Sequence, residues 1–245
     1  MSDWFRYQWE WDQEPLSVQV DMQYWQILPT LAYSHLIYVA CAPKDAYAVS
    51  FSRSELRSLH DLVKSLDANL LSDTIYVGMI ETRNLKQYYY YAQTPSLLND
   101  VTSLCLSQHK LRTTYGVVDE PNYSTYYRFL FPDDAKLQSV ENEEFIRNVF
   151  NKGGDVDLVR RISMRMAFPT FDGRESYIPS LPDYGLTYGV TETIEHATHP
   201  FCVTVYGYST LHLMDLNRCT SRAIRSAAKY DGMLDHMEAE FVERH

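Results

Sequence analysis

Three short stretches hold side chains whose types and spacing could do chemistry. Glu195-His196-Ala197-Thr198-His199 places two imidazoles three apart in a turn. With Glu195 or a distant His212 as a third ligand, that pair could hold zinc. No second ligand pair follows at a recognisable spacing, so polar turn residues are the plainer reading. Gly207-Tyr208-Ser209-Thr210-Leu211 sets a serine between a strand and a helix, as a nucleophile elbow does, but the second glycine is missing. Ser209 reads better as a helix N-cap. Gly153-Gly154-Asp155 lacks the Lys-Ser/Thr of a phosphate loop and reads as a helix end. No catalytic residue, metal or cofactor is therefore assigned, and the chain is expected not to be an enzyme.

Two further features concern binding. The stretch from about Ser209 to Tyr230 reads as one long helix. Leu213, Leu216, Ala223, Ile224 and Ala227 fall on one side of it. Arg218, Arg222, Arg225 and Lys229, in steps of four, three and four, form a second stripe. The expected end is Asp231-Gly232, with glycine taking the left-handed conformation. The cationic stripe is the candidate protein-binding site, suited to an acidic segment of another protein. Tyr88-Tyr89-Tyr90-Tyr91 lies in a strand, which sends two rings to each sheet face. Aromatic rows on such sheets can stack bases. Only Lys86 accompanies them, so packing is the better reading: a core on one face and the other domain on the second.

The elements that must position these residues follow from periodicity. A tryptophan-rich hairpin (residues 3–11 and 17–21) opens the chain. Next comes a strand over 35–41, then a helix begun by Ser52 and Glu55, three apart as in a capping box. Strands over 74–82 and 86–92, a helix from Pro95 and a strand over 110–118 complete the first half. Residues 121–138 read as an aromatic connection packed between the halves. The second half offers a helix over 140–151, a strand over 158–168, a short helix broken near Pro179 and Pro182, strands over 186–194 and 201–208, the basic helix, and a short strand over 238–242. Each half runs strand, helix, strand, strand, helix, strand. The expected fold is α+β: two tandem ferredoxin-like (split βαβ) sandwich domains, residues 1–135 and 136–245, the first with an extra N-terminal hairpin.

Composition narrows the partners. The 245 residues carry a formal net charge of −10. Residues 1–135 hold ten Lys/Arg against sixteen Asp/Glu, and residues 136–245 hold twelve against sixteen. Both halves repel nucleic acid at long range, so direct nucleic-acid binding is not expected. Cys41, Cys105, Cys202 and Cys219 form no C-x-x-C pair, and three of them sit in apolar runs or a helix. The opening MSDWFRYQWEWD lacks the basic flank and apolar run of a signal peptide, and no apolar run is long enough to span a membrane. A cytoplasmic location is expected.

The second half resembles the regulator of ribonuclease activity B family. The resemblance rests on the helix ending Gly153-Gly154-Asp155, the strand to Phe168, the Leu181–Gly185 turn, the hairpin, and the long helix ending Tyr230-Asp231-Gly232. Met233 stands where the family usually has tryptophan. Residues 1–135 resemble an uncharacterised domain that often precedes this one in bacterial proteins, through Trp4, Val20-Asp21, Ser54-Glu55, Val77-Gly78 and Arg83…Tyr90-Tyr91. The resemblance implies an α+β sandwich without catalytic residues, acting as an acidic protein inhibitor of a ribonuclease by direct contact. Charge and lack of catalysis equally suit an immunity-type protein that neutralises a toxin. An RNA-binding module using the tyrosine-rich sheet is the third reading.

Overall fold

Tyr7, Trp9 and Trp11 alternate along one strand and Leu16, Val18 and Val20 along the next, and the two strands pair. Strand β1 (Trp4–Trp11) runs antiparallel to β2 (Glu14–Asp21), with Trp4 opposite Asp21 and Trp9 opposite Leu16. These and all later elements are seen in a computed structural model that describes residues 2–11, 14–70, 74–107, 109–195 and 197–244. The chain is α+β, with two antiparallel sheets in two units, Met1–Pro132 and Asp133–His245.

In the first unit the short helix α1 (Tyr24–Ile27) leads to β3 (His35–Pro43) and helix α2 (Arg53–Leu70). Then follow β4 (Thr74–Glu81), β5 (Lys86–Ala92), α3 (Leu98–Leu106) and β6 (Leu111–Asp119). The sheet order is β1-β2-β4-β5-β3-β6. Helix α2 begins with a reciprocal box: the Ser52 amide donates to Glu55 Oε2 at 2.8 Å and the Glu55 amide to Ser52 Oγ at 3.3 Å. The Ser52 hydroxyl first, then the Ser52 amide and the Lys44 amide at 2.7 Å, hold the Glu55 carboxyl below its ordinary pKa. Leu59, Leu62 and Leu66 of α2 and Val101 and Cys105 of α3 close over Ile37, Val39, Tyr88 and Tyr90. Leu56, on the first turn of α2, is exposed, while Leu62 is fully buried.

The opposite face of this sheet corrects an expectation. Residues 121–138 do not serve only as a connection, because Thr125–Leu130 forms a π-helical turn that packs on the first unit's own sheet. Tyr7 Oη donates to the Leu130 carbonyl at 2.9 Å and Tyr126 Oη to the Asp21 carbonyl at 2.8 Å. Phe129 meets Trp11 and Tyr89 edge-on, and Phe131 stacks on Trp25. The Glu120 carboxylate anchors the turn, accepting from Ser124, Thr125 and Tyr91. The second face of the tyrosine run is thus covered from within the unit. All four rings are buried, with Tyr90 and Tyr91 at 0% exposure.

The second unit opens with α4 (Asp134–Asn151), six residues earlier than periodicity suggests. Asp133 caps it, its carboxylate accepting from the Lys136 amide at 2.9 Å. The buried positions of that first stretch are Ala135, Lys136, Ser139 and Asn142, three of them polar, so no apolar period announces it. Then come β7 (Arg160–Phe168), α5 (Phe171–Tyr177), β8 (Thr187–Thr193), β9 (Phe201–Ser209), α6 (Leu213–Ala228) and β10 (Met233–Ala239). The last strand starts five residues before the expected one. The sheet order is β10-β7-β9-β8. Ile162, Met164, Met166, Val203 and Val205 form the sheet side of the core, with Leu216, Cys219, Ala223 and Ala227 of α6 above them.

Candidate protein-binding surface

The basic stripe lies on α6, so what fixes that helix fixes the stripe. Its start is not where the serine suggests. Ser209 ends β9, opposite Arg160, and its hydroxyl donates to the Thr210 carbonyl. The N-cap is His212, in extended conformation and without a side-chain cap bond. Thr210 supplies the missing acceptor nearby. Its Oγ1 accepts from the His212 amide at 3.2 Å and donates to Asp215 Oδ2 at 2.7 Å in the first turn, where a carboxylate suits the helix dipole.

The helix end also differs from expectation. The Gly232 amide donates to the Ala227 carbonyl at 3.0 Å and the Asp231 amide to the Ala228 carbonyl at 3.3 Å, the paired bonds of a Schellman motif. The left-handed residue is Asp231, at φ 58°. Gly232 is required for a different reason: a Cβ there would lie 2.3 Å from the Phe168 ring.

Between these ends, α6 is held on two sides. Leu216, Cys219, Ala223 and Ala227 enter the core. Asn217 and Thr220 face α4, where the fully buried Asn142 amide donates to Asn217 Oδ1 at 2.8 Å and Thr220 Oγ1 at 2.9 Å. What remains outward is the stripe: Arg218, Arg222, Arg225 and Lys229 are all exposed. Their heads are oriented by neighbours. Arg218 meets Asp215 at 3.2 Å and Arg225 meets Asp133 at 3.2 Å. Arg222 donates to the Tyr184 carbonyl at 3.3 Å, and Lys229 to Tyr184 Oη at 2.6 Å, lying 5.2 Å from that ring's centre. The Tyr184 hydroxyl raises the Lys229 pKa, keeping the ammonium charged. Exposed pairs of this kind contribute little to stability, so an incoming carboxylate can replace Asp133 or Asp215 at small cost. Beside Arg225, Lys136 is nearly buried, and desolvation lowers its pKa. Sequence reasoning found the four cations but not Tyr184, Asp133 and Asp215, which orient them. Only Asp215 stands in local helical register with a stripe residue.

The other candidates stay apart. His196 lies outside the described residues. His199 contacts Thr198, and His212 pairs with Asp157 at 3.0 Å. Among the described residues no three His, Cys, Asp or Glu side chains gather to hold a metal. Gly153, at φ 84°, ends α4, and Gly154 bridges to Glu243. All four cysteines are buried and free, and burial pushes the Cys41 thiol up to about 12 and Cys105 to about 11. Among the described residues no helix is long and apolar enough to cross a membrane.

Residues 2–131 match the sequence profile of a family of unknown function, DUF695. No curated protein matches the chain. One solved structure that it resembles is described as an unknown protein from Galdieria sulphuraria. That protein is 8% identical, the match covers 86% of this chain and 99% of that one, and the TM-score is 0.22, too low to carry an argument.

Proposed function

The chain belongs to the DUF695 family, and from its own surface we propose that it is a cytoplasmic, non-enzymatic regulator that binds another protein, inhibiting a ribonuclease by direct contact. The observation that carries this reading is the stripe on α6. Four cations stand outward on a helix whose remaining faces are locked into the core and onto α4, in a chain that is acidic overall. A rigid row of mostly arginine suits carboxylates, because the planar guanidinium pairs with them bidentately. The resemblance of the second half to the regulator of ribonuclease activity B family supports the choice of partner. An RNA-binding role for the tyrosine run is disfavoured, since buried rings offer no face for stacking.

We propose further that both units are ferredoxin-like sandwiches. Read from the last strand, β6-β3-β5-β4 in the first unit and β10-β7-β9-β8 in the second follow the same split βαβ order. The β1–β2 hairpin extends the first sheet beyond β4, and α4 is an addition to the second unit.

The test is inhibition of RNA cleavage by a purified endoribonuclease from the native host, with wild type and the triple variant Arg218→Glu, Arg222→Glu, Arg225→Glu. Substitutions on an exposed face should leave the fold intact, which circular dichroism checks. Wild type should inhibit, and the variant should inhibit less. The difference should shrink at about 0.5 M salt, where the Debye length is only a few ångströms. A wild-type chain that neither inhibits nor binds the enzyme, or a variant that acts as well as wild type, overturns the reading.

A further inference from the structure

The second unit carries another open surface, of opposite charge. Strand β10 is an edge: it pairs with β7 on one side, and no described strand lies on the other. A cleft of about 310 Å³ runs between β10 and α4. Glu141 and Phe145 of α4 form one wall, and Leu234, Asp235, His236 and Met237 of β10 form the other. A helix beside an open strand edge is a place where an extended peptide can add a strand. Its main chain bonds to the free edge and alternate side chains enter the cleft.

Charge decides what can enter. Helix α4 carries Asp134, Glu141, Glu143 and Glu144 against Lys136 and Arg147, and β10 carries Asp235 and Glu238. Arg165 of β7 pairs with Asp235 at 2.5 Å and Arg147 with Glu143 at 3.5 Å. Glu141 on the cleft wall and Glu238, which among the described residues meets only His236 at 3.1 Å, are therefore the carboxylates offered to a partner. Edge-to-edge pairing of two copies would set these carboxylates against each other, so the edge is protected from self-association. The same charges complement a basic strand. Glu141 and Glu238 are exposed, while Phe145, Leu234 and Met237 are half-buried in the cleft, a mixture suited to a peptide alternating basic and apolar side chains.

We propose that β10 and α4 form a docking groove for an extended basic segment of a partner protein, held by strand addition. This rests on the reading that the chain works by protein contact and gives that contact a second anchor, separate from the α6 stripe. Strand addition requires free amides in the peptide, whereas simple charge attraction does not. That difference supplies the test.

The probe is a fluorescein-labelled peptide of about eight alternating lysines and valines, long enough for the seven residues of β10 at about 3.3 Å per residue. It is titrated into the full chain and followed by anisotropy. Saturable binding is expected. The same peptide with alternate amides N-methylated should bind at least about tenfold more weakly, since each lost main-chain bond weakens the complex. Glu141→Lys with Glu238→Lys should also weaken it. The triple arginine reversal on α6 should not, so failure of the groove and failure of the stripe are separable. Amide exchange along β10 should slow when the peptide is bound. Equal binding of the methylated peptide, no saturation, or unchanged exchange along β10 would each overturn the proposal.

Discussion

Asn142 is the polar pin between the helix that carries the stripe and the helix that walls the groove. Its Nδ2 makes two buried donor bonds, to Asn217 and Thr220, and its Oδ1 accepts from Gln138 at 3.1 Å. Substituting Asn142→Ala removes all three. Thr220 keeps an acceptor in the Leu216 carbonyl at 3.1 Å, and half-buried Gln138 can turn to water. Asn217 Oδ1 cannot, and Asn217 Nδ2 is already buried without a partner. Two lost buried bonds at about 1 kcal/mol each, plus roughly 1–2 kcal/mol for the stranded oxygen, give a loss of about 3 kcal/mol. At an m-value of about 1.5 kcal/mol/M, the urea midpoint of the second unit should fall by about 2 M. Every tryptophan lies in the first unit, so fluorescence follows that unit alone. Helices of both units contribute to far-UV circular dichroism, and the part of its transition that fluorescence does not share reports the second unit. The double variant Asn142→Leu, Asn217→Leu removes donor and acceptor together and should recover most of the loss. A single-variant shift under about 0.5 M, or a double variant that loses the sum of both single effects, would refute the reasoning.

At the end of α6, Asp231→Gly should stabilise by about 1 kcal/mol, because it relieves a non-glycine residue of the left-handed conformation. Gly232→Ala should destabilise by about 1–3 kcal/mol through its clash with Phe168. Thermal melts of the two variants, moving in opposite directions, check the assignment. Tyr7→Phe should cost the first unit about 1 kcal/mol by leaving the Leu130 carbonyl without its donor, read from the tryptophan fluorescence transition in urea. The capping box predicts a pH effect. Because the Glu55 carboxyl has a lowered folded pKa, its contribution is fully present above its unfolded value and is lost as pH falls through the folded one. Wild type should therefore lose its stability advantage over Glu55→Gln on acidification through that range, measured by urea midpoints between pH 7 and the acid limit.

Much of this molecule was legible from local pattern, and the exceptions share a cause. The Ser52–Glu55 box, the apolar seam of α6 and the outward placement of Arg218, Arg222, Arg225 and Lys229 depend on residues a few positions apart on one element. Helical geometry alone sets those relations, so sequence determines them. The first turns of α4 were hidden because Lys136, Ser139 and Asn142 are buried as polar residues, satisfied by partners such as Asn217 and Thr220 more than seventy positions away. Alternation in the tyrosine strand placed rings on both faces, but could not say that Thr125–Leu130 folds back over the second face. Spacing likewise could not distinguish Asp231 from Gly232 as the left-handed residue, since the glycine answers to the Phe168 ring on another strand. The groove is the clearest case: α4 and β10 lie about eighty residues apart in sequence, and only the closing of β10 onto β7 brings their carboxylates to one cleft. Sequence determined the elements and their polar faces, while the tertiary structure decided which surfaces were covered, because covering a face requires a long-range partner that no local spacing encodes.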